Sequence, residues 1–146
     1  MLDSLEGLTR TRSRVMNAIT KEELLRIPKL RKQIARKKRC IELYETRATG
    51  GAIEYKERVQ SSVSNSASDC LCEAVDLRRE LIDDTKELND LINRAYDFMR
   101  TLDEVLHRDI VYARYIVGLP WKDVAKTFNY SNQRIFQKHR EILCKL

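Results

Sequence analysis

From Cys70 to Leu102, spacings of three and four residues repeat without a break through Leu71, Ala74, Arg78, Leu81, Thr85, Leu88, Ile92, Ala95, Met99 and Leu102. A half-buried strand would alternate at every second residue, so this period predicts a helix carrying the narrow seam of a coiled coil, with Arg78 and Thr85 as imperfections in it. At about 1.5 Å per residue the helix is roughly 46 Å long. A helix of that length with one apolar stripe requires something to cover the stripe.

The nearest candidate is the stretch from Lys29 to about Arg47, where Leu30, Ile34, Ile41 and Tyr44 share one face and Lys37 fills the gap position. It is predicted as a helix of roughly 28 Å, antiparallel to the longer one. The segment between them, 48–70, holds Gly50-Gly51 and Ser61, Ser62, Ser64, Ser66 and Ser68, the composition of a connecting loop. Residues 29–102 thus read as a helical hairpin. Its longer arm overhangs, to be covered by the C-terminal domain, the N-terminal arm or a second copy of the chain. Residues 1–28 are polar and basic and read as a short helix or a loose arm, closed at Ile27-Pro28 because the residue before proline is pushed out of the helical region.

The composition agrees with an all-α chain. Charged residues make up 34 % of the 146 positions, against four glycines and two prolines, which favours long helices and leaves little room for sheet or for a large multi-domain enzyme. The formal net charge is +6, which suits a polyanionic partner. The sign alternates along the chain. Residues 1–60 carry 15 Lys and Arg against 8 Asp and Glu, residues 61–100 carry 5 against 9, and residues 101–146 carry 8 against 5. The densest basic run, Arg36-Lys37-Lys38-Arg39, has three readings: phosphate contacts, pairing with the acidic middle segment, or a solvated helix face.

Cys40, Cys70, Cys72 and Cys144 lack both C-x-x-C pairs and histidine partners, so they are expected as free thiols of a cytoplasmic protein, with no metal site. The apolar runs are too short for a membrane span, and no membrane partner is expected. Two histidines, no glycine-rich phosphate loop and no cysteine in a catalytic context argue against an enzyme and against a cofactor. His139 reads as a helix-packing residue and His107 as a surface or hydrogen-bonded one. Asp83-Asp84 reads as the solvated flank of the coiled coil.

Residues 103–146 carry the functional signal. Asp103 is placed to cap a helix to about Val117 with Leu106, Ile110, Ala113 and Ile116 or Val117 inward, stopped by Gly118. A second helix, Trp121 to Phe128, turns Trp121, Val124, Ala125 and Phe128 inward. Asn129 then tolerates the left-handed turn, and Ser131 caps a last helix from Asn132, with Ile135, His139, Ile142, Leu143 and Leu146 facing the core. Helix, tight turn and helix, with small Ala125 and β-branched Ile135 at the crossing, make a helix-turn-helix. Its outer face would hold Asn132, Gln133, Arg134, Gln137, Lys138 and Arg140. Amide side chains read adenine bidentately, so Asn132, Gln133 and Gln137 are the expected base contacts, while Arg134, Lys138 and Arg140 are the expected phosphate contacts.

Trp121-x-x-Val124-Ala125, Tyr130-Ser131, Ile135 and Ile142-Leu143-x-x-Leu146 resemble the DNA-binding helix-turn-helix of sigma factor region 4. The usual turn glycine is Asn129 here, and a family alanine is Ile142. From about Leu30 onward, with Tyr55-Lys56-x-x-Val59-Gln60-Ser61 in the loop, the chain is similar to small phage and prophage late-gene transcriptional regulators of the ArpU and RinA type. The resemblance implies a sequence-specific regulator that binds double-stranded DNA. RNA polymerase and a second copy of the chain, held through the hairpin, are its further candidate partners. The alternative is a phage DNA-packaging component resembling a small terminase subunit, which would assemble as a ring.

Overall fold

The computed structural model describes residues 18–50 and 67–146, and every regular element among them is helical: α1 (Lys21–Ala48), α2 (Ala67–Thr101), α3 (Val105–Val111), a π-helical turn (Tyr112–Val117), α4 (Trp121–Phe128) and α5 (Asn132–Leu143). The loop segment from Tyr55 to Ser61 lies outside the described residues. The chain divides into two compact units, one of Lys29–Glu87 and one of Met1–Pro28 with Leu88–Leu146.

Helix α1 starts at Lys21, eight residues before the expected Lys29, and runs straight through Pro28. Its start is a reciprocal cap: the Thr20 N–H donates to Glu23 Oε2 at 2.9 Å and the Glu23 N–H donates to Thr20 Oγ1 at 3.3 Å. Proline in a helix interior costs about 3 kcal/mol through its missing donor and its ring clash. Burial offsets that cost here, since Leu24 and Ile27 are wholly inaccessible and Leu30 is nearly so. The local rule about the residue before proline therefore loses to packing around it.

In the unit of Lys29–Glu87, partners rise along α1 while they fall along α2. Gln33 and Lys37 reach Asp84, Lys37 also reaches Glu80, and Glu45 pairs with Arg78. The two helices run in opposite directions there. The positions of α2 that are buried or half-buried include Cys70, Ala74, Leu77, Leu81 and Asp84, a strict alternation of four and three. Ala74 and Leu81 are as expected, but the other half of the seam sits one residue earlier: Leu71, Arg78 and Thr85 are exposed. The polar member of the seam is thus Asp84, not Arg78 or Thr85, and it meets the polar member of the α1 seam. Lys37 Nζ lies 2.7 Å from Asp84 Oδ2, with side-chain exposures of 17 % and 15 %. The bond to the Asp84 carboxylate raises the Lys37 pKa above its ordinary value, against the cost of burial. Of the basic run, Lys37 pairs with the acidic segment, while Arg36, Lys38 and Arg39 are exposed.

In the other unit the α2 seam continues through Leu88, Leu91, Ala95, Phe98 and Leu102. The early turns of α1 supply cover for this end. Arg94 grips Glu23 bidentately, Nη1 to Oε1 at 3.0 Å and Nη2 to Oε2 at 2.5 Å, and Nη2 also donates to the Ala18 carbonyl at 3.1 Å. The core of this unit gathers Leu24, Ile27, Ile110, Val111, Tyr115, Val124, Ile135 and Ile142, all essentially inaccessible.

The third helix departs from expectation in two ways. The residue flanking its start is Glu104, without a side-chain cap, so Asp103 does not cap it. Its second half is π-helical, ending at Gly118 (φ 92°, ψ 25°), whose N–H donates to the Ala113 carbonyl at 3.2 Å. The widened turn brings Tyr115 inward and leaves Val117 half-exposed. Ile110 and Ala113 are buried as expected, together with His107 and Val111.

Candidate nucleic-acid interface

Helices α4 and α5 are joined by the turn that the sequence predicts. Asn129 adopts φ 57°, ψ 37°, the only left-handed non-glycine residue among those described, and the Tyr130 N–H closes back on the Ala125 carbonyl at 3.0 Å. Ser131 turns the chain into α5, its Oγ accepting the Arg134 N–H at 3.2 Å. Val124, Ala125, Ile135, His139 and Ile142 are buried. Leu146, expected inward, is 39 % exposed because α5 ends at Leu143 and the last residues leave its register.

The crossing is held by a buried polar stack. The Tyr115 hydroxyl lies 2.6 Å from His139 Nε2, and the Trp121 ring meets the His139 ring edge-on at 4.5 Å and the Phe136 ring at 5.5 Å. Burial, then the nearby Arg114 and Lys21 charges, lower the His139 pKa to about 4, and burial raises that of Tyr115 to about 12. Both groups are therefore neutral at pH 7. The Tyr115 O–H donates and Nε2 accepts, which puts the imidazole proton on Nδ1. Arg114 covers the stack from outside, its guanidinium 4.8 Å from the Trp121 ring centre and Nη1 donating to the Leu119 carbonyl at 2.9 Å. His139 is thus the packing residue that the sequence suggests.

Asn132, Gln133, Arg134, Gln137 and Arg140 are all exposed on α5. Lys138 is not: its side chain is 13 % exposed and its Nζ lies 3.1 Å from Glu104 Oε1 and 3.3 Å from Glu141 Oε2. Two carboxylates match its charge, which sets it apart from the exposed cations Arg134 and Arg140 of the same helix. The sequence could not reveal this, because Glu104 is 34 residues away in the chain. Two exposed lysines of α4 were missed, Lys122 and Lys126. Their spacing of one turn on the polar face of a short helix is the signal that marks them.

Glu104, His107 and Glu141 bring one nitrogen and two oxygens within 4.8 Å of one another. His107 Nε2 lies 3.2 Å from Glu104 Oε2 and 3.1 Å from Glu141 Oε2, and the ring is almost fully buried. An imidazole and two carboxylates could in principle ligate a metal. Here the Lys138 ammonium already bridges the carboxylates, and Lys145 Nζ stands 3.5 Å from His107 Nδ1. The cluster works as a clasp between the start of α3 and the middle of α5. Bonds from His107 and then Lys138 lower the pKa of Glu141, and bonds to Glu104 and Glu141 raise that of Lys138.

No protein family, curated protein or solved structure matches the chain. Among the described residues no helix is long and apolar enough to cross a membrane.

Proposed function

We propose that the chain is a sequence-specific DNA-binding protein, a phage or prophage transcriptional regulator acting through a sigma region 4-like helix-turn-helix formed by α4, the Asn129 turn and α5. One observation carries the reading. A capped helix, docked by Ile135, His139 and Ile142, leaves Asn132, Gln133, Arg134, Gln137 and Arg140 exposed, amides and guanidiniums with few carboxylates among them. Such side chains at the start of the second helix are what a major groove accepts, amides toward base edges and cations toward phosphates.

A single module of this size buries a small interface, so useful affinity calls for two copies on half-sites about 34 Å apart or for tethering to RNA polymerase. The helical hairpin of α1 and α2 is the element that would supply either link. The test is binding of the purified chain to duplex fragments of its own genomic neighbourhood at two salt concentrations, with the mass in solution measured by light scattering. Site-selective, salt-dependent binding by a monomer or dimer is expected. Absence of binding at low salt would remove the reading, and a large ring would redirect it to DNA packaging.

A further inference from the structure

A free glutamine amide reads adenine with both ends, donating from its NH2 to N7 and accepting at Oε1 from the 6-amino group. Gln137 does not stand free on α5. Arg134, one turn earlier, donates from Nη1 to Gln137 Oε1 at 3.1 Å. A guanidinium has five donors and no acceptor, so only the amide oxygen can face it, and the orientation of the Gln137 amide is set by its neighbour. The NH2 turned away carries donors alone. An oxygen already bonded to a cation is, moreover, a weaker acceptor for a second donor. Arg134 itself is held by its backbone, since its N–H is the one that Ser131 Oγ accepts in the first turn of α5.

We propose that Arg134 is a positioning residue that decides which base edge Gln137 reads: with Oε1 engaged, Gln137 takes an acceptor edge, N7 and O6 of guanine or O4 of thymine, in place of adenine. This rests on the DNA-binding reading and deepens it, because it assigns Arg134 a role in sequence preference and not in phosphate contact alone.

The experiment is selection of preferred sites from a randomised duplex pool by the full chain, alongside Arg134→Ala, Arg134→Lys and Gln137→Ala. Both residues are exposed, and alanine and lysine are good helix formers, so the variants keep the fold, which circular dichroism checks. The base position belonging to Gln137 is the one whose preference disappears in Gln137→Ala. At that position the unsubstituted chain enriches guanine or thymine. Arg134→Ala shifts it toward adenine by about tenfold, the lower part of what one base contact supplies. Arg134→Lys keeps the original preference, since an ammonium also donates to Oε1. An Arg134→Ala variant that binds all sites more weakly with the same base preference would overturn the proposal, as would adenine at that position for the unsubstituted chain; in both cases DNA binding itself survives. Failure of the unsubstituted chain to select any duplex at low salt would overturn the proposal and the reading beneath it together.

Discussion

Lys37 and Asp84 are the two polar interruptions of otherwise apolar seams, and they face each other, so a double-mutant cycle on them tests the register of α1 against α2. Removing one partner of a fully buried pair costs about 3–5 kcal/mol, whereas an exposed pair is worth about 0–1 kcal/mol. With side-chain exposures of 17 % and 15 % and a separation of 2.7 Å, the pair lies between these limits. After Asp84→Ala the lysine keeps Glu80 at 3.0 Å, and after Lys37→Ala the aspartate keeps Gln33 at 3.1 Å. Each single substitution should therefore cost about 2 kcal/mol, with a coupling of about 1–2 kcal/mol between them. Replacing both by leucine should exceed the unsubstituted chain by about 1–2 kcal/mol, because two leucines then complete the seam with no charge to desolvate. Urea unfolding measures all five proteins, the unsubstituted chain, the two single and the double alanine variants and the double leucine variant, with equal m-values as the check that only stability changed. A coupling below about 0.3 kcal/mol, the range of independent sites, would refute the seam register described here.

Other expectations follow from the C-terminal unit. His139 is neutral in the folded chain down to about pH 4, while an unfolded histidine takes up its proton near pH 6.5; between these values the unfolded state binds more protons, so stability falls as pH falls, by about 3 kcal/mol in all. His139→Gln, which keeps an acceptor for Tyr115, should flatten urea-derived stability across that window; an unchanged slope would mean that His139 is not the group responsible. Arg140→Ala should lower the slope of log affinity against log salt by about 1, while Lys138→Met leaves that slope alone and lowers the melting temperature. Equal slope changes from both would return Lys138 to the DNA. Asn129→Ala should cost about 1–2 kcal/mol for its left-handed backbone, and Asn129→Gly should cost nothing measurable by thermal unfolding.

The sequence made the all-helical class legible, since the heptad period and the scarcity of glycine and proline point one way. It also located the Asn129 turn and the Ser131 cap, because those are local chemistry: one residue type that tolerates positive φ and one hydroxyl ahead of a helix. The α2 seam was half legible. Ala74, Leu81, Leu88, Ala95 and Leu102 fit either phase of a three-four repeat, and both alternatives for the rest offer apolar residues, Cys70, Leu77, Leu91 and Phe98 against Leu71, Ile92 and Met99. What separates the phases is which polar residue finds a partner across the seam, and Lys37 lies 47 positions from Asp84. Long-range pairing also hid the withdrawal of Lys138 from the exposed face, a contact that only folding creates. The start of α1, by contrast, carries a local signature, Thr20 three residues ahead of Glu23, which the rule about the residue before Pro28 masks.

The π-helical turn makes the length of the segment between Val111 and Gly118 an angular setting. A turn closed by i to i−5 bonding holds one residue more than an α-helical turn, and one residue corresponds to about 100° of rotation around a helix axis. Relaxation of the segment to an ordinary α-helix with all its residues kept would swing everything after Gly118 by that angle, taking Trp121 and Val124 off the core while leaving their own helix intact, whereas deleting one residue as the segment relaxes would preserve the angle. The π turn and the extra residue it absorbs therefore set the orientation of α4 and α5 together.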